Sequence, residues 1–476
     1  MAGPTPYRVA GEIRTGDQTF EVRSPFDGSV VAEVATPNDA DVDDAVSAAA
    51  AAFEETRLLP THRRAEALLH VSRRLEERAD EVAELIAREG GKPVKWASVE
   101  ARRAVATFRW AAETVRQDGG ELLRLDTDAG TGSRLGIVRR FPLGPVLGIS
   151  PFNFPVNLVA HKVAPAIAVG APVVLKPATQ TPLGALLLAD LVAETDLPGG
   201  ILSVLPISGS RAEPLVLDDR FAKVSFTGSV DVGWRLKGLA PKKHFTLELG
   251  GNAGVIVHAD ADLDHAAARV AFGGYYQAGQ SCISVQRILV QAEVYDDFTA
   301  RFVKQVEGLR NGDPLDPSVD VGPLIDAGAL DRVAAWVEEA RAGGATVLTG
   351  GARDDPFYAA TVLAGVTDDM KVCREEVFGP VTTLTRYETF EDAIRQVNDT
   401  RYGLQAGVFT SSIERAMLAH RDLVVGGVIV NDVSAYRADQ MPYGGSKESG
   451  YGREGLRYAM EEMTEPRIMV LSHVPL

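Results

Sequence analysis

The sequence predicts an α/β protein built on parallel sheets, and three observations predict it. From Val146 to a helix beginning at Ser229, short apolar strands alternate with helical stretches. A second α/β stretch runs from about Gly251 to Gly450, and residues 39 to about 118 read as helix. Alternation of this kind requires crossover connections and hence a parallel sheet, whose ligands sit beyond the carboxyl ends of its strands. At 476 residues the chain exceeds one ordinary core, so two or three domains are expected.

Up to about residue 36 the chain reads as strands and turns, with Ser24-Pro25-Phe26-Asp27-Gly28 as a turn signal. Leu68, Leu69, Val71 and Leu75 then recur at helical spacing, and Gly90-Gly91-Lys92-Pro93 divides this region into two helical parts. Val146–Ile149 is a strand, with a helix from about Val156. Ala171–Leu175 is the next strand, Leu183–Glu194 a helix, and Ile201–Leu205 and Ala222–Phe226 are further strands. The second stretch has helices at Tyr295–Leu309 and Ala329–Ala342 and strands near Ile288 and Val428. Ser133–Arg139 alternates like an exposed strand, and Arg467–Leu471 is apolar and terminal. Loose strands need covering, by each other or by another subunit.

A formal charge of −16, 45% hydrophobic and 24% charged residues describe an ordinary soluble globular chain. The acidic balance argues against nucleic acid or an anionic membrane as partner. No transmembrane stretch is visible, and Met1 to Arg14 lacks the apolar region of a signal peptide. Cys282 and Cys373, the two cysteines, make no disulfide framework and suit a reducing cytoplasm. No histidine cluster has metal-ligand spacing, so no metal is expected.

The sharpest chemical signal is Gly279-Gln280-Ser281-Cys282. Flanking glycine and a polar run place Cys282 in a tight, approachable turn, and a thiolate is the soft nucleophile that adds to a carbonyl carbon. Cys373, in Lys371-Val372-Cys373-Arg374, has no such setting and reads as structural. Glu248 sits between leucines on an apparent strand, Phe245–Leu249. Burial there raises its pKa towards that of a general base, unless the strand turns it to solvent. Asn153, in Phe152-Asn153-Phe154-Pro155, follows a strand directly. Its amide is placed either to stabilise an oxyanion or to cap the next helix. Phe226-Thr227-Gly228-Ser229 joins a strand to a helix N-terminus, where backbone N–H groups suit a pyrophosphate, and Lys176 ends a strand on the same edge.

Taken together these motifs resemble the aldehyde dehydrogenase superfamily in order and spacing, from about residue 20 to the C-terminus. Asn153-Phe154-Pro155, Lys176, Phe226–Ser229, Glu248–Gly251, Gly279–Cys282, Glu375-Glu376-Val377-Phe378-Gly379-Pro380 and Pro442-Tyr443-Gly444-Gly445 carry the resemblance. It implies a Rossmann-like cofactor domain from residues 1–120 and 142–250, an α/β catalytic domain at 251–450, and a β-strand oligomerisation element from 121–141 and 451–476. Dimers or dimers of dimers are implied as well.

The resemblance also implies roles. Cys282 would be the nucleophile, Asn153 with the Cys282 backbone N–H the oxyanion hole, and Glu248 the base that activates water. Lys176, Thr179, Gly228, Ser229, Leu249, Glu376 and Phe378 would face an NAD or NADP cofactor, and Lys162 and Glu454 would support the site. An aldehyde would then be oxidised to an acid through a thioester. A coenzyme A-dependent acylating relative has less need of Glu248, and a retired scaffold has no need of Cys282, Asn153 or Glu248; all three residues are present.

Three positions bear on specificity. NAD-preferring relatives commonly carry Glu three residues after the ribose lysine. Thr179 stands there and points to NADP, unless it merely caps the next helix. Arg103 and Arg437, in Tyr436-Arg437-Ala438-Asp439-Gln440-Met441-Pro442, fall where substrate-pocket residues are expected, in a stretch similar to the lactaldehyde and non-phosphorylating glyceraldehyde-3-phosphate branch. They suit a short aldehyde with an anionic or polar end. Ser281 departs from phosphate-specific relatives, which often have Arg. The competing reading pairs Arg437 with Asp439 or Glu448, and Arg103 with Glu100 or solvent.

Overall fold

Five parallel strands form the centre of the first sheet, in the order Leu202–Val204, Val173–Lys176, Val146–Ile149, Lys223–Thr227, His244–Glu248. The computed structural model describes residues 3–473. Residues 1–2 of the expected cofactor domain and 474–476 of the expected oligomerisation element therefore lie outside the described residues. Tyr7–Val9 adds an antiparallel strand at one edge, and Gly450–Tyr451 adds another beside Leu247 and Glu248. Strands buried on both faces need continuous apolar runs, and Val146, Leu147, Val173, Val174, Leu175, Val224 and Leu247 supply them. The Asn157–Val169 and Leu183–Ala193 helices belong to the same core.

The helical region folds as four helices rather than two: Asp39–Thr56, Thr61–Glu77, Ala79–Gly90 and Val94–Val115. The extra breaks fall at Arg57–Pro60 and at Arg78, where periodicity alone gives no punctuation. The glycine break is real: Gly91 ends the third helix in the left-handed region at φ 67°.

The second sheet has the order Thr346–Thr349, Thr361–Ala364, Val381–Tyr387, Val285–Gln291, Ala253–Val257, Gln405–Phe409, Gly427–Val430, parallel except at its first pair. Val255, Ile288, Val290, Phe298, Phe302, Val333 and Val337 close a separate core with its helices. A third, antiparallel sheet orders Thr464–Ser472, Arg134–Pro142 and Glu121–Arg124. The two loose strands of the sequence thus pair with each other, in register from Thr464 opposite Pro142 to Ser472 opposite Arg134. Residues 450–463 sit differently from the boundary read at 451. Gly450–Tyr451 extends the first sheet, and Leu456, Met460 and Met463 are buried in its core.

Candidate active site

Cys282 lies in the turn between the Leu263–Tyr275 helix and the Val285–Gln291 strand. The approach is strained: Gln277 and Ala278 hold φ of 54°, a region ordinary side chains avoid. At Gly279, φ is 69° and any Cβ would collide with the Gly379 carbonyl, so glycine is required there. Asn153 clamps this turn. Its amide donates to the Gln280 carbonyl at 3.0 Å, and its own carbonyl accepts from the Gln277 amide. Asn153 therefore does not cap the following helix. The buried Glu100 carboxylate does so instead, accepting from the Val156 and Asn157 N–H groups at 3.0 and 3.2 Å.

Glu248 ends its strand at 3% exposure, facing inward, and neither carboxylate oxygen has a hydrogen-bond partner among the described residues. Burial, and then the neighbouring charge of Glu454, push its pKa well above the usual carboxylate value. Glu454 behaves oppositely. Burial works against its charge, but Lys162, Arg437 and His161 outweigh that and bring it down to about 2. Lys162 Nζ stands 3.3 Å from Glu454 and donates to Ser225 and Thr227 at 3.0 and 2.7 Å, while Arg437 holds the other Glu454 oxygen at 3.0 Å.

A groove of about 1,090 Å³ opens at the carboxyl ends of the first sheet's strands. It brings together every cofactor position read from sequence: Lys176, Thr179, Gly228, Ser229, Leu249, Glu376 and Phe378. Thr179 is exposed at its mouth and does not cap the next helix, which begins at Leu183; Glu89 accepts the Leu183 N–H instead, at 2.9 Å. Ser229 occupies the N-cap position of the Val230–Leu239 helix without a side-chain cap bond, so that helix end faces the groove. Glu376 accepts from the Gly251 N–H at 2.9 Å, and burial pushes its carboxyl up to about 7. A Cβ on Gly250 would overlap the Glu376 carboxylate, so close backbone approach fixes that wall. Phe378, at φ 47°, meets the edge of Phe152 at 5.9 Å between centroids. The groove's size, its helix N-terminus and its lysine fit a dinucleotide.

A second cavity, of about 250 Å³, lies between the Val94–Val115 helix and the 435–443 loop. Trp96, Phe154, Phe272 and Tyr276 give it apolar walls, and Arg103 and Arg437 both line it. Cys282 and Leu158 line both cavities. The arginines are paired, with partners other than those weighed from sequence. Arg103 meets Asp439 at 2.7 Å, and Asp439 also accepts from Asn157 and His161. Arg437, at 5% side-chain exposure, meets Glu454, and its Nε has no partner among the described residues. Cys373 is buried in the second core.

Sequence reasoning gave no role to Tyr443, whose hydroxyl lies 3.1 Å from the Cys282 sulfur. Its motif was visible, but only folding brings residues 161 positions apart together. Arg332, Trp336, Ser150 and Arg401 also line the groove without a local sequence signal. Among the described residues no group of three or more His, Cys, Asp or Glu is arranged to hold a metal, and no helix is long and apolar enough to cross a membrane.

A cysteine stands where a dinucleotide-sized groove meets a small pocket, an arrangement that fits an oxidoreductase. The family model for the aldehyde dehydrogenase family matches residues 13–469, and the chain belongs to that family. It is 43% identical over 465 residues to a 3-sulfolactaldehyde dehydrogenase of Priestia aryabhattai, covering 98% of this chain and 97% of that protein. The structure of aldehyde dehydrogenase 21 from Physcomitrella patens, in complex with the reaction product succinate, superposes with a TM-score of 0.97 at 42% identity, over 99% of each chain. Glyceraldehyde-3-phosphate dehydrogenase from Methanocaldococcus jannaschii, complexed with NADP, gives a TM-score of 0.92 at 36% identity over 96% of this chain and 100% of that one. The protein oxidises an aldehyde to the acid with NAD or NADP.

Proposed function

We propose that oxidation proceeds through a thioester on Cys282 and that the substrate is a short aldehyde with an anionic or polar end. The observation that carries this is the place of Cys282, in the walls of both cavities at once. Its sulfur adds to the aldehyde carbon while the carbonyl π pair moves onto oxygen. The Asn153 amide and the Cys282 backbone N–H hold that oxyanion. When bound, the nicotinamide supplies the hydride acceptor. The oxyanion re-forms a carbonyl as hydride leaves, giving the thioester on Cys282. Glu248 then takes a proton from water, the hydroxyl adds to the thioester carbon, and the Cys282 sulfur departs with its bonding pair. A carboxyl raised by burial is matched to that proton transfer near neutral pH.

Lys176, Thr179, Gly228, Ser229, Leu249, Glu376 and Phe378 hold the dinucleotide, and Thr179 favours NADP because a hydroxyl, unlike a carboxylate, tolerates a 2′-phosphate. Lys162 and Glu454 hold Arg437 in place. Arg103 and Arg437 give the small cavity its anion preference; the sulfolactaldehyde named for one relative and the succinate bound to another also have anionic ends. The exposed Ile468, Met469, Val470 and Leu471 on the Thr464–Ser472 strand support a homodimer or homotetramer joined through the third sheet. Two free cysteines suit a cytoplasmic enzyme.

The test is an aldehyde panel run with NAD and with NADP, reading reduced-cofactor absorbance. Semialdehydes, sulfonated and phosphorylated short aldehydes are expected to have the highest kcat/KM. A preference for long apolar aldehydes, or acid release only when coenzyme A is added, overturns the proposal.

A further inference from the structure

We propose that Tyr443 is a catalytic residue that donates its hydroxyl to the Cys282 thiolate from beneath the Arg437 guanidinium, making that anion easier to form in a buried site. The proposal rests on the reading of Cys282 as nucleophile. The hydroxyl is 3.1 Å from Sγ, and Tyr443 is 3% exposed, so the donor side of the bond is shielded from solvent. A protonated thiol can share this contact in either direction, but a thiolate only accepts, so in the reactive form Tyr443 is the donor. The Arg437 guanidinium carbon lies 3.7 Å from the ring centroid. A cation over the π face draws electron density from the ring and makes the phenol a stronger donor. Arg437 is fixed there by Glu454, and Glu454 is fixed to Tyr443 by two backbone bonds, Tyr443 N–H to Glu454 O at 3.0 Å and the reverse at 2.7 Å.

The surroundings make such a donor necessary. Burial, aided by Glu376 and Glu248, outweighs the opposing effects of Tyr443 and Arg437 and leaves the Cys282 thiol pushed up to about 12. Around Tyr443 itself, burial, Cys282 and Glu248 disfavour its charged form and Arg437 favours it. The balance holds the phenol well above its ordinary value, so it stays a donor throughout the working range. The same hydroxyl stabilises the sulfur when it leaves the thioester.

The experiment follows iodoacetamide alkylation of Cys282 against pH in the full-length enzyme, identifying the modified residue by mass spectrometry. Tyr443→Phe fills the same volume without the donor. Alkylation near neutral pH is expected to slow about tenfold, the worth of one hydrogen bond to a charged group, with the midpoint moving up by about one pH unit. Arg437→Lys keeps a positive charge but loses the flat stack, and its midpoint is expected between those of wild type and Tyr443→Phe. Midpoints that stay at the wild-type value in whichever of these variants fold overturn the proposal. Cys282→Ala separates the two readings. If it retains turnover, the nucleophile assignment fails. If it is inactive and the Tyr443→Phe profile overlays wild type, only the role of Tyr443 fails.

Discussion

Lys162 Nζ stands 3.3 Å from the Glu454 carboxylate, with both side chains buried and Arg437 on the other Glu454 oxygen at 3.0 Å. That pairing assigns the cations of the site to one of its two inner carboxylates. Glu454 stays charged, and Glu248, with no hydrogen-bond partner among the described residues, is pushed up by burial and by that charge. Two carboxylates driven apart in this way take different chemical roles.

Glu248→Gln is therefore expected to release about one equivalent of reduced cofactor per site and then stall. Steady turnover should fall by roughly 10²–10⁴, the usual contribution of a general base. Stopped-flow absorbance reads the burst, and mass spectrometry should find the acyl group on Cys282. Cys282→Ala should give no burst. Wild-type steady turnover in Glu248→Gln would assign the base elsewhere.

Glu89 carries a pH signature in stability. It is buried, accepts the Leu183 N–H, and burial raises its pKa from 4.5 to about 8. Between these values the folded chain keeps a proton that the unfolded chain has lost, so this contribution is full below pH 4.5 and is lost as pH rises through 8. Each unit of the interval corresponds to roughly 1.4 kcal/mol. Glu89→Gln removes the titration, so its melting temperature relative to wild type should rise steadily from pH 5 to 8. A constant difference across that range would show that Glu89 does not titrate there.

Thr179, exposed at the mouth of the large groove, sets the cofactor prediction. Wild type should prefer NADP. Thr179→Glu should lower kcat/KM for NADP about tenfold or more through repulsion of the 2′-phosphate, with little change for NAD. A wild-type specificity constant for NAD tenfold above that for NADP would refute the preference.

The two cavity arginines should separate. Arg103 is partly exposed, and after Arg103→Leu the buried Asp439 keeps its hydrogen bonds from His161 and Asn157 but loses its cation, so some fall in melting temperature accompanies the loss of the recognition group. KM for an anionic aldehyde should rise about tenfold, while a neutral aldehyde of equal length is nearly unaffected. Arg437→Leu removes one of the two cations on buried Glu454, which keeps Lys162 at 3.3 Å, and a fall in melting temperature is expected. Equal KM effects of Arg103→Leu on both aldehydes would remove the anion reading.

The strands from Val146 to Thr227 and the starts of the helices at Asn157, Leu183 and Val230 were legible within one or two residues because apolar runs, turn residues and periodicity agree there; the four-residue Gly209–Ala212 helix was too short to show a period. The four-helix division of residues 39–115 was not, since the break at Arg78 carries no glycine or proline of its own. Cys282 stood out by its glycine-flanked turn, whereas Glu248 and Asn153 each had an ordinary structural reading locally and drew their roles from the family resemblance. What sequence withheld were pairings between distant segments. Glu454 for Arg437, Asp439 for Arg103 and Tyr443 for Cys282 each depend on how the 435–454 segment folds back over the first sheet.

That return has a consequence for how the molecule is made. The Glu248 strand has one edge beside Phe226 and Thr227, but its other edge waits for Gly450–Tyr451, about two hundred residues later in the chain. While the ribosome is producing the second sheet, the first therefore has an open flank next to Glu248, and Lys162 lacks its Glu454 partner, which has not yet been translated. Nascent chains halted before residue 450 would present that unsealed flank to chaperones and to one another.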